Sequence, residues 1–357
     1  MKIGIYSPYL NIMGGGERYV LFIASHLANK HEVYLFWDDE KIVKKTKDTL
    51  NIGLKRVNII PNIFSKSQSI VNLLKKIKKT RKYDIFLYVT DGSLFFSLAK
   101  KNILIIHAPS HFPKKNTLLD ELKLKNWSTI ICYSEFIEKF IKEKLDIKPK
   151  VIYPPVDVNT FKPGRKENII LSVGRFYGGK PHSKKQDFLV KTFKELVKEG
   201  LKKWQLILVG NTDPNGEKFI GMLNKISSNY PILIKKNLPF LNLKKLYSKA
   251  KIYWHATGFE EDLKKYPERA EHFGISTVEA MASGCVPVVI NAGAQPEIVK
   301  DKKTGFLFKT KDELKQKTTL LIERKNLLSN LSKKAQKTAN QFSEQKFLHK
   351  IDEIIKN

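Results

Sequence analysis

Short runs of β-branched and aromatic residues alternate along the chain with longer stretches whose apolar positions recur three and four residues apart. In the first half the strand-like runs are Lys2–Tyr6, Glu32–Phe36, Arg56–Pro61, Asp84–Val89, Asn102–His107, Thr129–Tyr133 and Lys150–Tyr153. In the second half they are Asn168–Gly174, Trp204–Gly210, Pro231–Lys235, Lys251–His255, Cys285–Ile290 and Thr304–Phe308. Strands that are apolar almost throughout, separated by helical stretches, describe βαβ units and a parallel sheet covered on both faces. The pattern occurs twice, so the expected fold is α/β: two doubly wound, Rossmann-like domains, residues 1–160 and 161–340. The Pro154-Pro155-Val156-Asp157 turn and the following Lys162-Pro163-Gly164-Arg165 form the expected linker. Residues 341–357 end the chain as an amphipathic helix with Phe347, Ile351, Ile354 and Ile355 on its apolar face.

Sheets of this kind bind ligands at the carboxyl ends of their strands. After the first strand, Gly14-Gly15-Gly16-Glu17 opens a helix, where a ligand can approach the backbone and free N–H groups face an anion. The spacing is not that of a dinucleotide fingerprint, and a plain tight turn is the competing reading. His107 ends the fifth run, a position that faces a ligand, although a lone histidine often serves only structure; His111 competes with it. Gly174-Arg175 ends another run, and Lys184-Lys185 precede the next helix. Two cations at such a junction suit a diphosphate leaving group. The arginine carries more weight, since the chain has only 7 arginines among its 65 basic residues.

The most informative segment runs from Glu271 through Phe273, Gly274, Ile275 and Ser276 to Glu279, and on through Gly284. Carboxylates accept hydrogen bonds from paired sugar hydroxyls, so Glu271 and Glu279 suit a hexose and a ribose. Free N–H groups from Gly274 to Thr277 at a helix start suit the phosphate between them. A capping box, Ser276-x-x-Glu279, is the structural alternative for Glu279, but it leaves Glu271 and Gly274 unexplained.

Composition narrows the classes. The chain has 357 residues, 42% hydrophobic and 11% aromatic, which suffices for two cores and argues against disorder. Two cysteines far apart, Cys132 and Cys285, argue against a disulfide scaffold or cysteine zinc site and for a reducing, cytoplasmic setting. No apolar run is long enough to span a bilayer, and the strand-like start is not that of a signal peptide. The net charge of +30 fits either an anionic partner or a compositional bias toward Lys, Ile and Asn. It is spread along the chain, with 27 basic and 15 acidic residues in 1–160. A nucleic-acid-binding protein would account for the charge, but no base-stacking module is visible, so no nucleic-acid partner is expected.

Taken in order, these motifs resemble the large family of retaining, nucleotide-sugar-dependent glycosyltransferases of the GT-B fold, family 4 type. The likeness rests on Gly14-Gly15-Gly16-Glu17, Tyr133-Ser134-x-Phe136, Pro155-Val156-Asp157 through Phe161, Gly174-Arg175 with Lys185, and the Glu271-x7-Glu279 segment ending at Gly284. The triple glycine and the long loop after Arg175 are weakly similar to mannosyltransferases that elongate lipid-linked oligosaccharides.

The resemblance implies two domains facing a cleft, with the acceptor bound by residues 1–160, the donor by 161–340, and helix 341–357 crossing back. It implies transfer of a hexosyl group from a UDP- or GDP-linked sugar to a glycan or lipid-linked acceptor with retention of configuration. The catalytic residues it implies are Arg175, Lys185, Glu271 and His107. Gly15, Gly16, Gly174, Phe273, Gly274, Ile275, Ser276 and Glu279 are implied to bind the donor. Nine residues separate Arg175 from Lys185, more than the family usually has, which makes Lys180 in the inserted Gly178–His182 loop the alternative lysine. The sequence lacks Asp-x-Asp, so no cofactor and no divalent metal are expected. A donor-hydrolysing or epimerising enzyme on the same fold is the runner-up.

The segment 66–82 adds one expectation about partners. It holds seven basic residues and no acidic one, with Ile70, Val71, Leu73, Leu74 and Ile77 at helical spacing. Peripheral attachment to an anionic membrane at the cytoplasmic face is one reading. A helix packing the whole stripe onto the sheet, with solvated lysines, is the other.

Overall fold

The computed structural model describes residues 1–11, 14–65, 69–113, 115–177, 183–212 and 214–356. The inserted loop Gly178–His182, with Lys180, and Lys66 lie outside the described residues. The chain divides into two units, 1–155 with 345–357, and 156–344.

The first unit is a parallel sheet of β1 (Lys2–Tyr6), β2 (Glu32–Phe36), β3 (Val57–Ile60), β4 (Ile85–Val89), β5 (Lys101–Ile106), β6 (Thr129–Cys132) and β7 (Lys150–Val151). Their order is β3-β2-β1-β4-β5-β6-β7, so the winding reverses between β1 and β4. Residues of β4 are buried throughout, as a central strand covered on both faces requires. The connecting helices are α1 (Gly15–Leu27), α2 (Ile42–Leu50), α3 (Ile70–Thr80), α4 (Leu118–Asn126) and α5 (Glu135–Leu145).

The second unit repeats the plan with β8 (Glu167–Val173), β9 (Gln205–Gly210), β10 (Ile232–Lys236), β11 (Ala250–His255), β12 (Val286–Ile290) and β13 (Phe306–Phe308). Their order, β10-β9-β8-β11-β12-β13, reverses between β8 and β11. Around this sheet stand α6 (Gln186–Lys198), α7 (Pro214–Ser227), α8 (Phe240–Lys249), α9 (Ile275–Ala282), α10 (Gln295–Ile298), α11 (Lys311–Glu323) and α12 (Lys325–Ala339). Both sheets are parallel, doubly wound and α/β, as the hydrophobic pattern predicts.

The chain enters the second unit at Val156 and leaves it at Glu344. The two passages are hydrogen-bonded, Val156 N–H to the Phe342 carbonyl at 3.1 Å and Glu344 N–H to the Val156 carbonyl at 3.3 Å. Asp157 tightens the entry by accepting from the Thr160 N–H at 3.1 Å. The last helix, α13 (Glu344–Lys356), buries Phe347, Ile351, Ile354 and Ile355 in the first unit's core. Burying each such side chain is worth about 1.5–3 kcal/mol, which holds the C-terminus there.

The apolar stripe of α3 divides. Leu73 and Ile77 pack against the core, whereas Ile70, Val71 and Leu74 are exposed, so the whole stripe does not pack onto the sheet.

Candidate active site

In the first unit, β1 feeds the glycine turn into α1. Glu17 accepts the Gly14 N–H at 2.7 Å, half of a capping box, so this amide is already satisfied. The amides of Gly15 and Gly16 occupy the first helical positions, where no intrahelical acceptor exists. Two strands along the sheet edge, beyond β4, stands His107, directly after β5. Its Nδ1 lies 3.3 Å from the Tyr133 hydroxyl, which also reaches the Gly16 carbonyl at 3.5 Å. A Cβ added at Gly16 would stand 3.8 Å from the His107 ring. The glycine turn, His107 and Tyr133 therefore form one cluster. Tyr9 and His111 extend it, their rings stacked with centroids 5.0 Å apart. Tyr133 is buried, which pushes its phenol well above its ordinary pKa and keeps it a neutral donor. Ser134 caps α5 by accepting the Ile137 N–H at 3.3 Å, so that part of the motif is structural.

In the second unit, β8 ends at Val173 and the chain turns through Gly174 and Arg175. Gly174 sits against Lys184: a Cβ there would stand 3.0 Å from the Lys184 Cγ. The Arg175 side chain is exposed and makes no ion pair among the described residues. Gln186 closes the base of this turn, donating to the Gly174 and Arg175 carbonyls at 3.1 Å each. Lys185, the residue before α6, adopts the left-handed region at φ 56°.

The two lysines part company there. Lys184 Nζ lies 2.8 Å from Glu271 Oε2, whereas Lys185 Nζ donates at 2.6 Å to Glu261. Glu261 has 3% of its side chain exposed and is also held by Arg269 at 3.0 Å. The same Glu271 oxygen accepts from His255 Nε2 at 2.9 Å. His255 ends β11 and is buried; Thr257 Oγ1 lies 3.2 Å from its Nε2. Burial works to raise the Glu271 pKa, but Lys184 and His255 outweigh it and hold the carboxyl well below its usual range.

Glu271 leads into Gly274 and α9. Gly274 has φ 111°, and a Cβ there would lie 2.3 Å from Gln295 Nε2, so only glycine fits. Gln295 ties the turn together by accepting from Thr277 Oγ1 at 2.9 Å and donating to the Phe273 carbonyl at 3.4 Å. Phe273 is buried, its ring centroid 5.6 Å from that of Phe342.

One alternative falls away and one expectation needs correcting. The Ser276–Glu279 capping box does not form, because Gly274 is the N-cap and Ser276 is already inside α9. Ser276 Oγ accepts instead from Tyr253 at 2.8 Å, and Glu279 accepts from Tyr247 at 2.9 Å. Nor are all the amides from Gly274 to Thr277 free: the Thr277 N–H is bonded to the Gly274 carbonyl at 3.0 Å. Those of Ile275 and Ser276 retain the geometry of an anion site at a helix start.

The second sheet edge thus assembles Arg175, Lys184, Glu271, His255, the α9 N-terminus and Glu279. His255 is absent from the motif reading, although the strand-end argument that singles out His107 applies to it equally. Glu261 and Gln295 carry no local signal: Glu261 is met by Lys185 from 76 residues away, and Gln295 by Thr277 from 18. Among the described residues, no cluster of three or more His, Cys, Asp or Glu has the arrangement of a metal site, and no helix is long and apolar enough to cross a membrane.

Comparison with known proteins gives the family. The family model described as glycosyl transferases group 1 matches residues 157–338, and that of glycosyltransferase family 4 matches residues 13–160. The chain is 24% identical over 440 residues to the GDP-Man:Man(3)GlcNAc(2)-PP-Dol alpha-1,2-mannosyltransferase of Dictyostelium discoideum, covering all of this chain and 84% of that protein. It is 33% identical over 178 residues to the Xenopus tropicalis protein of the same name, covering 46% of this chain but only 34% of that relative. Among solved structures, Anabaena HepE in complex with UDP aligns with a TM-score of 0.74 at 20% identity over all of both chains. A glycosyltransferase from Rickettsia africae aligns with a TM-score of 0.76 at 19% identity, over 99% of this chain and 97% of that one. These neighbours share the GT-B fold of two parallel-sheet α/β domains. The chain belongs to the glycosyl transferases group 1 family and is a glycosyltransferase.

Proposed function

We propose that the protein moves a hexosyl group from a nucleoside-diphosphate sugar to a lipid-linked glycan with retention of configuration. The observation that carries this reading is the convergence of Lys184 and His255 on Glu271, directly before the Ile275–Ser276 amides. Cations, free amides and an ionised carboxylate in one turn suit a sugar diphosphate. Arg175, Lys184 and the α9 N-terminus receive the diphosphate as charge develops on it; each such donor is worth about 10²–10³-fold in rate. Lys185 supports the loop through Glu261 and stands ready as a second cation. Glu271 accepts from the transferred sugar's hydroxyls, and Glu279 from the ribose. Within the first unit His107, held by Tyr133, serves the acceptor.

The sequence lacks Asp-x-Asp, and arginine and lysine supply the positive charge a metal would otherwise bring, so the reaction proceeds without a divalent cation. The relatives' names favour GDP-mannose as donor and a dolichyl-diphosphate glycan as acceptor for this chain as well. The UDP in the Anabaena neighbour keeps UDP-sugars in the comparison.

Thermal-shift measurements with GDP-, UDP- and ADP-sugars test the donor, because a bound ligand raises stability by mass action. Stabilisation by a GDP-sugar, followed by NMR of an α-linked product from an α-linked donor, is the expected result. Release of free sugar with no transfer to any glycan lipid overturns the transferase reading, and an inverted product overturns retention.

A further inference from the structure

The winding of the first sheet reverses between β1 and β4, and doubly wound sheets take ligands in the crevice outside the strand ends at such a point. A cavity of about 590 Å³ opens there, lined by Tyr6 at the end of β1, Tyr88 of β4, Trp37 directly after β2 and Phe64 after β3. Among the described residues, neither the glycine turn nor His107 lines it.

The floor of this cavity is aromatic. The Tyr6 and Tyr88 rings stack with centroids 5.5 Å apart, and the Phe64 centroid is 5.1 Å from that of Tyr6. Trp37, half-buried, adds a fourth ring. The charged lining differs from the rest of the chain. It consists of Asp38, Asp39 and Asp91 with Lys45 and Lys76, one more negative than positive charge in a chain of net +30. Each carboxylate is fixed through Oδ1. Asp38 accepts from the Asn62 N–H at 2.7 Å, Asp39 from the Lys41 N–H at 2.9 Å, and Asp91 from the Ser93 N–H at 3.0 Å and Oγ at 2.6 Å. The Oδ2 atoms make no hydrogen bond among the described residues and remain for a ligand.

A second cavity, of about 510 Å³, shares Phe64, Lys76, Tyr88, Asp91 and Ser93 with the first, so the two form one groove. It adds Asp120 and Lys123, whose charges cancel. The Asp91 loop also borders the cluster around His107. A Cβ at Gly92 would stand 3.4 Å from the Phe112 carbonyl, and the Asp91 charge is felt by both Tyr9 and His111.

These features select among ligands. Sugar rings have apolar faces that lie against aromatic side chains, and hydroxyls that donate to carboxylates, which only accept. A phosphate or diphosphate would enter against three carboxylates with two lysines to meet it. We propose that this groove binds an uncharged oligosaccharide, its ring faces on the aromatic floor and its hydroxyls on Asp38, Asp39 and Asp91. Calling that saccharide the glycan of the acceptor rests on the transferase reading above; the binding itself does not. The lipid and its diphosphate have no part in this groove.

The test uses the full chain without donor, and saturation-transfer NMR titrations with α-linked mannotriose, maltotriose and chitotriose. Binding of at least one, with the same affinity at low and high salt, is expected. Asp91→Asn keeps an oxygen for Ser93, so its melting temperature should hold while it binds that trisaccharide about tenfold more weakly. Trp37→Leu should weaken binding by about tenfold as well. Trp37 also packs against the core, so Asp91→Asn decides if that variant does not fold. Binding of none of the three, wild-type affinity in Asp91→Asn, or affinity that falls steeply with salt overturns the proposal. So does tighter binding of inorganic pyrophosphate by Asp91→Asn than by wild type, which would make the groove an anion site. Transfer to a lipid-linked glycan is measured separately. Trisaccharide binding without transfer sinks the acceptor reading and leaves the groove; transfer at the wild-type rate and KM in Asp91→Asn sinks the groove and leaves the transferase.

Discussion

Lys184 and Glu271, 87 residues apart in the chain, meet at 2.8 Å, while the neighbouring Lys185 turns to Glu261. Adjacent lysines therefore have different tasks. Arg175→Ala should lower kcat about 10²–10³-fold with little change in melting temperature, and Lys184→Ala should lower kcat as much while also costing stability, because it takes a cation from the buried Glu271. Lys185→Ala removes one of the two cations on the buried Glu261 and should cost stability as well as turnover. Steady-state kinetics with thermal melts check this. Near-normal turnover in Lys184→Ala, with Lys185→Ala inactive yet fully stable, would assign the diphosphate to Lys185 instead.

Glu279 accepts from Tyr247, and Gly274 is the N-cap of α9, so its substitution separates donor binding from folding. In Glu279→Gln the amide oxygen still accepts from Tyr247, and the melting temperature should hold. Charge-assisted bonds to hydroxyls are about twice as strong as neutral ones, so donor affinity should drop by about tenfold. Calorimetric titration with the donor measures it; unchanged affinity removes Glu279 from the ribose site.

The Glu271 carboxyl is held well below its usual pKa by Lys184 and His255 against the opposing effect of burial. A depressed folded-state pKa contributes stability that is present above the unfolded-state value and is lost as pH falls through the folded one. Glu271→Gln should therefore be less stable than wild type by about 1–3 kcal/mol at neutral pH, with the gap closing under acid conditions. Denaturant melts across pH follow this; a gap that is constant with pH would mean the ion pair contributes nothing.

Metal independence is expected from the missing Asp-x-Asp and the cations at the Gly174–Arg175 turn. Transfer should survive excess EDTA at an unchanged rate. Loss of activity restored by manganese or magnesium refutes it.

Both cysteines are buried, and burial pushes the Cys285 thiol up to about 11 despite the nearby Lys166. Thiolates are the reactive form, so the native protein should resist iodoacetamide at neutral pH while the denatured chain takes up two equivalents. Mass spectrometry counts the adducts; rapid native labelling at Cys285 would show that this region opens.

Much of this protein is legible locally. Every strand predicted from an apolar run is present within a residue or two, because a strand buried on both faces must be apolar along its length. The glycine turns, strand-end His107 and the Glu271–Glu279 segment are likewise visible, since each is a short stretch whose chemistry sits within a few neighbours. The Ser-x-x-Glu pair at Ser276 and Glu279 offers a capping box as the structural alternative, and the structure does not form it. Only the packing of Gln295 against Gly274, 21 residues earlier, moves the N-cap to the glycine. The choice of Lys184 over Lys185 for Glu271, the pairing of His255 with that carboxylate, and the outward turn of Ile70, Val71 and Leu74 are tertiary decisions. Each depends on which side chain from a distant strand or helix arrives in contact, and periodicity along one element carries no information about the element packed against it.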